Sequence, residues 1–278
     1  MEYSPNKMQR KLSSSKFNFK KKFGQNFIVD ENIINSIVEK SHIDKETMVI
    51  EIGPGSGALT YKLANVSKNV LCYEIDKTLE VILSDNLKEH HNVDIIYDDF
   101  LKRNILSDIA KYDYKKLYVV ANLPYYITTP IIIKFIDENI DIDKMIVMVQ
   151  KEVGDRFKAL PGCKDYNSLS IFLQYNYFIK KVMNVSKNVF LPKPNVDSIV
   201  VEFAKREKIK ILDENLFYKL VRDSFRHKRK TLKNNLNDYD LEKIEYVLKL
   251  HKMDLSVRAE NISMDIFIEI VNHITKKK

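Results

Sequence analysis

The chain predicts an α/β protein, a doubly wound and mostly parallel Rossmann-like sheet followed by a small all-α C-terminal domain. Three observations carry that prediction. Apolar runs of buried-strand type alternate with helical patterns through the first 150 residues, the signature of a parallel sheet with crossover helices. The glycine-rich stretch Gly53-Pro54-Gly55-Ser56-Gly57 directly follows one such run. From about Ala204 onward strand patterns cease and only helical periodicity remains.

Taken in order, Met1 to Ser15 is polar and aperiodic and is expected to be a disordered tail. Lys16 to Phe27 interleaves bases (Lys20, Lys21 and Lys22 among them) with phenylalanines, which suits either phosphate contact with stacking or a basic arm whose rings dock on the core. Asp30 is placed as an N-cap, with Ile33, Ile34, Ile37 and Val38 at helical spacing behind it. Met48–Ile52 reads as a buried strand, the glycine turn follows, and Ala58–Ala64 as a helix. Glycines belong in that turn because a ligand must approach the backbone closely. The spacing is G-x-G-x-G, shorter than the dinucleotide G-x-G-x-x-G and without the Lys-Ser/Thr of a P-loop.

Strands are expected at Asn69–Tyr73, Val93–Tyr97, Leu117–Ala121, Lys144–Val149 and Ser198–Phe203. A helix is expected over Leu101–Ala110, and another capped by Thr128 or Thr129 with Pro130 in its first turn. Pro161–Tyr166 is a loop by composition, and periodicity leaves the helix-to-strand break within Ile171–Met183 open. Phe190–Asn195, with Pro192 and Pro194, is stiff and extended, and joins two late strands as a hairpin closing the sheet edge. Lys205–Lys208 reads as a linker, giving domains at 16–203 and 204–278.

Composition narrows the class. The 278 residues are 45% hydrophobic, enough for a substantial core, and carry a net charge of +8. That balance favours an anionic partner, nucleic acid first, although a lysine-loaded AT-rich genome produces the same excess. Cys72 and Cys163 lie far apart without metal or redox spacing, as in a reducing compartment. No apolar run approaches the roughly 20 residues of a membrane span, and no signal-peptide segment opens the chain. A soluble cytoplasmic protein with no membrane partner is expected.

Candidate site residues lie at the expected carboxyl edge of the sheet, where open α/β sheets bind ligands. Asn122-Leu123-Pro124-Tyr125 leaves a strand with an amide oxygen, a backbone carbonyl next to proline and an aromatic face, a set able to grip a planar base bearing an exocyclic amine, or else is a strand end followed by an ordinary Pro turn. Glu74, about twenty residues past the first glycine, is placed to accept ribose hydroxyls or else is a surface acid opening a helix at Asp76. Asp99 either receives an adenine amine or caps a helix. Arg222, Arg226, Lys228, Arg229, Lys230 and Lys233 form either a solvated helix face or a cluster able to neutralise several phosphates, and the lack of any acid between Asp223 and Asp238 favours the second. No acid/His cluster resembles a metal site.

The glycine turn, Glu74, Asp99 and Asn122–Tyr125 together resemble a class I methyltransferase using S-adenosylmethionine, on a seven-stranded methyltransferase sheet. More narrowly, the chain resembles the rRNA adenine N6,N6-dimethyltransferases of the KsgA family. The likeness includes Phe23-Gly24-Gln25-Asn26-Phe27, Glu51 to Thr60, Pro192 to Ser198, Arg229 to Leu236 and Arg258-Ala259-Glu260. Ile28 stands where leucine is common and Tyr126 where asparagine is common. The resemblance implies that Asn26, Ile28 and Gly53 lie near the cofactor's methionine end, that Glu74 holds its ribose, and that Asp99 takes its adenine amine. Asn122 and the Leu123 carbonyl would orient the target amine and Tyr125 would stack on the flipped base. It also implies action on two adjacent adenosines in a hairpin loop near the 3′ end of 16S rRNA, within the small subunit or its precursor; a monomer is expected. The rival readings are a macrolide-resistance-type 23S rRNA dimethylase, a mainly non-catalytic ribosome assembly factor, and a nicotinamide-dependent oxidoreductase.

Overall fold

The computed structural model describes residues 19–20 and 23–276; the tail expected over 1–15 and the candidate cations Lys21 and Lys22 lie outside them. After the short strand β1 (Phe27–Ile28), helix α1 (Glu31–Ser41) opens on Asp30, whose carboxylate accepts from the Asn32 N–H at 2.9 Å. Ile34 and Ile37 fall on its buried face. The run before the glycine turn is β2 (Thr47–Ile52), buried at every residue as a central strand covered on both faces must be. Helix α2 (Ala58–Val66) and strand β3 (Asn69–Tyr73) complete the first crossover, and β3 pairs in parallel with β2.

Helix α3 (Glu80–Leu87) leads to β4 (Val93–Ile96), which lies parallel beside β3. The single helix expected over Leu101–Ala110 is instead a 3-10 turn, Phe100–Lys102, and a short helix α4 (Ile105–Ile109). Asn104 divides them, because its side chain accepts from the Ser107 N–H at 3.0 Å and restarts the helix. Strand β5 (Lys116–Asn122) pairs in parallel with β2, and β6 (Lys144–Gln150) with β5. Between them lies α5 (Thr128–Asp137). Neither threonine caps it: a 3-10 turn, Tyr125–Ile127, feeds straight into the helix, and the Thr128 hydroxyl, already in the first turn, donates back to the Pro124 carbonyl at 3.1 Å.

Helices α6 (Lys151–Phe157) and α7 (Ser168–Asn176) precede β7 (Tyr177–Val185), so the break left open in the sequence falls between Asn176 and Tyr177. The proline-rich segment contributes β8 (Phe190–Leu191), antiparallel to β1, and β9 (Ser198–Lys205) runs antiparallel to β6. The sheet has seven strands in the order β4-β3-β2-β5-β6-β9-β7. Strand order reverses between β2 and β5, and the carboxyl ends of those two strands form the crevice where such sheets take ligands.

The chain forms two compact units, one of residues up to Gly154 with Lys180–Ala204, the other of Asp155–Ile179 with Lys205–Lys278. Asp155–Ile179, which holds α7 and the start of β7, groups with the C-terminal helices. Its aromatic residues explain this. On α7, Tyr175 and Phe172 pack at 4.7 Å and 4.9 Å from Phe217 and Tyr218 of α8 (Glu214–Ser224). The second unit continues through α9 (Leu232–Asn235), α10 (Leu241–Leu250) and α11 (Met264–Thr275), with Leu248, Phe267 and Ile270 in its core.

Gly55, in the turn after β2, has φ +58°, and a Cβ there would stand 2.8 Å from the Phe27 ring. A Gly55→Ala substitution therefore combines a left-handed backbone with a clash against a buried ring. It is expected to cost roughly 2 kcal/mol, read as a lowered denaturant midpoint at unchanged slope.

Candidate active site

The crevice encloses about 900 Å³ of empty space, part of it open to solvent. Its wall is built mainly from five stretches of the first unit: Phe23–Ile28, the turn after β2, the end of β3, the end of β4, and Asn122–Ile127. Asn26, Ile28, Gly53, Glu74, Asp99, Asn122, Leu123, Pro124 and Tyr125 all line it. Residues spread over about a hundred positions of sequence thus meet at one sheet edge.

Asn122 ends β5, and its register partner on β6 is Met148. Its Nδ2 donates to the Asn26 carbonyl at 2.9 Å, which fixes which end of the amide faces the crevice. The other end, Oδ1, is buried and has no hydrogen-bond partner among the described residues. A buried acceptor left unpaired costs about 1–3 kcal/mol and marks a place where a donor belongs. Asn26 is itself held, its side-chain amide donating to the Gly24 carbonyl at 3.1 Å.

Glu74 follows β3 and is only 4% exposed, so it is not the surface acid of the plainer sequence reading. One oxygen accepts from the Asp76 N–H at 2.8 Å and the other from the Gly55 N–H at 3.2 Å. Burial pushes its pKa up to about 7 against the pull of those donors. Asp99 is the cap of the 3-10 turn Phe100–Lys102, its side chain accepting from the Leu101 N–H at 3.0 Å, and it also lines the crevice.

Asp76 caps the 3-10 turn Lys77–Leu79 and gathers the N-terminal segment. Lys20 Nζ donates to its Oδ1 at 2.6 Å, and Gln25 Nε2 to its Oδ2 at 2.7 Å. Lys20 thus ties the N-terminal segment to a carboxylate whose side chain is almost wholly buried. Phe19 and Phe27 lie 5.5 Å apart and pack on a core cluster with Leu79 and Leu83, so these two rings dock on the fold.

Sequence reasoning missed Glu51. It sits in β2, 1% exposed, and lines the crevice beside the glycine turn. Burial pushes its pKa up to about 8, and the nearby Glu74 charge adds to the rise. The Cys72 thiol donates to it at 3.7 Å. The available signal was an acid inside an otherwise apolar strand immediately before the turn. Tyr126, the other departure noted in the sequence, is 52% exposed at the mouth, with its ring against Gly24.

In the second unit the basic cluster forms the turn between α8 and α9. Asn235 is buried and staples that turn, donating to the Ser224 carbonyl at 2.7 Å and accepting from the His227 N–H at 3.2 Å. Arg226, Lys228, Arg229, Lys230 and Lys233 are exposed, as is Arg222. Three are engaged locally: Arg222 lies over the Phe172 ring at 5.5 Å, Arg226 pairs with Asp223 at 3.0 Å, and Lys228 donates to the Lys164 carbonyl at 3.0 Å.

Comparison with known proteins gives the chain relatives along its whole length. The family model described as "Ribosomal RNA adenine dimethylase" matches residues 16–276. Ribosomal RNA small subunit methyltransferase A of Macrococcus caseolyticus is 42% identical over 290 residues, covering 99% of this chain and 98% of that protein. The protein of the same name from Staphylococcus aureus (strain bovine RF122 / ET3-1) is 44% identical over 285 residues, covering 99% and 95%. Among solved structures, a dimethyladenosine transferase from Plasmodium falciparum superposes with a TM-score of 0.71 at 25% identity, covering 87% of this chain and 94% of that one. The 23S rRNA methyltransferase ErmE superposes with a TM-score of 0.69 at 22% identity, covering 90% and 100%, a likeness of fold.

The raised Glu51 pKa has a stability consequence. An acid that holds its proton more tightly when folded contributes most below its unfolded pKa, near 4.5, and that contribution is lost as pH rises toward about 8. The Tm of Glu51→Gln should therefore gain on that of the unmodified protein between pH 5 and pH 8, by the equivalent of roughly a few kcal/mol. Calorimetric melts across that range check it; a constant gap would show that Glu51 ionises as freely folded as unfolded.

Proposed function

The chain belongs to the ribosomal RNA adenine dimethylase family, and on that premise we propose that it methylates 16S rRNA. In this reading it transfers methyl groups from S-adenosylmethionine to N6 of two adjacent adenosines in a hairpin loop near the 3′ end, within the small subunit or its precursor. The observation that carries the reading is the unpaired Asn122 Oδ1, buried at the crevice and held there by the bond from Nδ2 to Asn26.

The donor set fits the cofactor. Glu74 presents a buried carboxylate suited to ribose hydroxyls, Asp99 an acceptor for an adenine amine, and Asn26, Ile28 and the Gly53 turn the remaining wall. Two crevice acids with raised pKa values, Glu51 and Glu74, are costly to ionise alone and would be eased by a cationic ligand. When bound, S-adenosylmethionine supplies an electrophilic methyl group on a sulfonium.

The chain's own task is to make a poor nucleophile attack. An adenine amine delocalises its lone pair into the ring. Asn122 Oδ1 and the Leu123 carbonyl accept its two hydrogens, draw the nitrogen toward tetrahedral geometry and aim the lone pair. Tyr125 stacks on the extruded base. No strong base is needed, because the amine proton becomes acidic only as the new bond forms. Positioning and electrostatics supply the catalysis. A loop adenosine is the cheapest to extrude, at a few kcal/mol.

The exposed turn around Arg226–Lys230 and Lys233 is the phosphate-binding surface in this reading, each neutralised phosphate steepening the salt dependence by about 0.7–0.9 in the exponent. In this reading the chain acts as a monomer. No described helix is long and apolar enough to cross a membrane, which suits work on ribosomal RNA in the cytoplasm. Identity of 42–44% to proteins named for the small subunit favours that substrate over a 23S rRNA target.

Asn122→Ala should lower the methyl-transfer rate by about a hundredfold or more while RNA affinity changes little. Transfer of labelled methyl groups to small subunits, with mapping of the modified bases, measures the first, and filter binding the second. Equal losses in both would remove Asn122 from the chemistry.

A further inference from the structure

Tyr125 has a second feature besides its ring face. Its hydroxyl lies 2.6 Å from Ser198 Oγ. Ser198 is 0% exposed, does not line the crevice, and its Oγ meets no other partner among the described residues.

The fold explains how a residue distant in sequence reaches that point. β9 runs antiparallel to β6, so its first residue arrives at the edge where the parallel strands end. Asn122 pairs with Met148, Met148 with Val200, and Gln150 with Ser198. Ser198 is thus two residues beyond Val200 on the same side of the sheet as Asn122. Asp197, just before it, accepts the Lys151 N–H through its carbonyl at 3.1 Å, which anchors the start of β9. Tyr125 opens the 3-10 turn after Pro124, and its ring spans from that turn to the buried serine.

We propose that Ser198 is a positioning residue for methyl transfer, holding the Tyr125 ring by its hydroxyl in the tilt that stacks on the target base. The inference rests on the reading of Tyr125 given above and adds the part that sets its orientation. A phenol gripped only at Cα can swing about its side-chain torsions. A bond at the far end of the ring removes that freedom, and a stacking face is useful only at a defined angle to the Asn122 acceptor. Burial raises the Tyr125 pKa, so the hydroxyl remains protonated and available for this bond at neutral pH.

The test is a double-mutant cycle on the full chain with Ser198→Ala, Tyr125→Phe and the pair together. Single-turnover methyl transfer to small subunits and S-adenosylmethionine affinity by calorimetry are the readouts. Each single change is expected to slow transfer roughly five- to tenfold, with cofactor affinity within about twofold, and the double change to be no slower than the worse single. Tyr125→Phe breaks the same bond without touching the buried serine site, so a folding defect in Ser198→Ala does not remove the test. Losses that multiply in the double variant, or a Ser198→Ala rate equal to the unmodified one, overturn the proposal. Tyr125→Ala separates the two levels. If it transfers at full rate, the stacking assignment itself fails; if it is inactive while Ser198→Ala is unaffected, only the positioning role fails.

Discussion

The crevice depends on one hydrogen bond, from Asn122 Nδ2 to the Asn26 carbonyl. A carboxamide has a donor end and an acceptor end of nearly the same shape, and nothing in β5 alone decides which faces the ligand. The Asn26 carbonyl decides it. It consumes the donor and leaves a buried oxygen with nothing to accept from. The location of Asn26 is in turn secured from both sides. Gln25 and Lys20 are tied to Asp76, and Phe27 and Ile28 pair with Leu191 and Phe190. A segment that looks peripheral in the sequence is thus part of the acceptor's geometry.

Two electrostatic needs are met in different parts of the chain. The crevice lies in a protein of net charge +8, yet two of its acids, Glu51 and Glu74, are buried deeply enough to favour their protonated forms. Such a site is poised for a cation. Exposed cations gather instead at a turn of the helical unit, where Asn235 ties the backbone from inside and the basic side chains project outward.

Much of the fold was legible because central parallel strands are buried on both faces and read as uninterrupted apolar runs. The strands from Met48 to Val149, the cap at Asp30 and the glycine turn follow from such local rules. The errors have local causes as well. Asn104 interrupts what hydrophobic spacing alone reads as one helix, and Thr128 donates backward to Pro124 in place of capping. The tie from Lys20 to Asp76 is not legible, because nothing in the sequence announces a partner 56 positions away. Glu51 stands in the motif from Glu51 to Thr60 but is given no role from sequence, because one acid within an apolar strand carries no periodic signal.

The sequence by itself determined the class of fold, the order of its strands along the chain and the residue types gathered at the carboxyl edge, since periodicity, turn chemistry and motif spacing are all short-range properties. Tertiary structure decided the rest. It set which amide end Asn122 presents, tied Lys20 to Asp76, drew Asp155–Ile179 into the helical unit and delivered Ser198 to the Tyr125 hydroxyl. Each of these is a pairing between segments far apart in the chain, and such pairings exist only after burial of the apolar runs has brought the segments together.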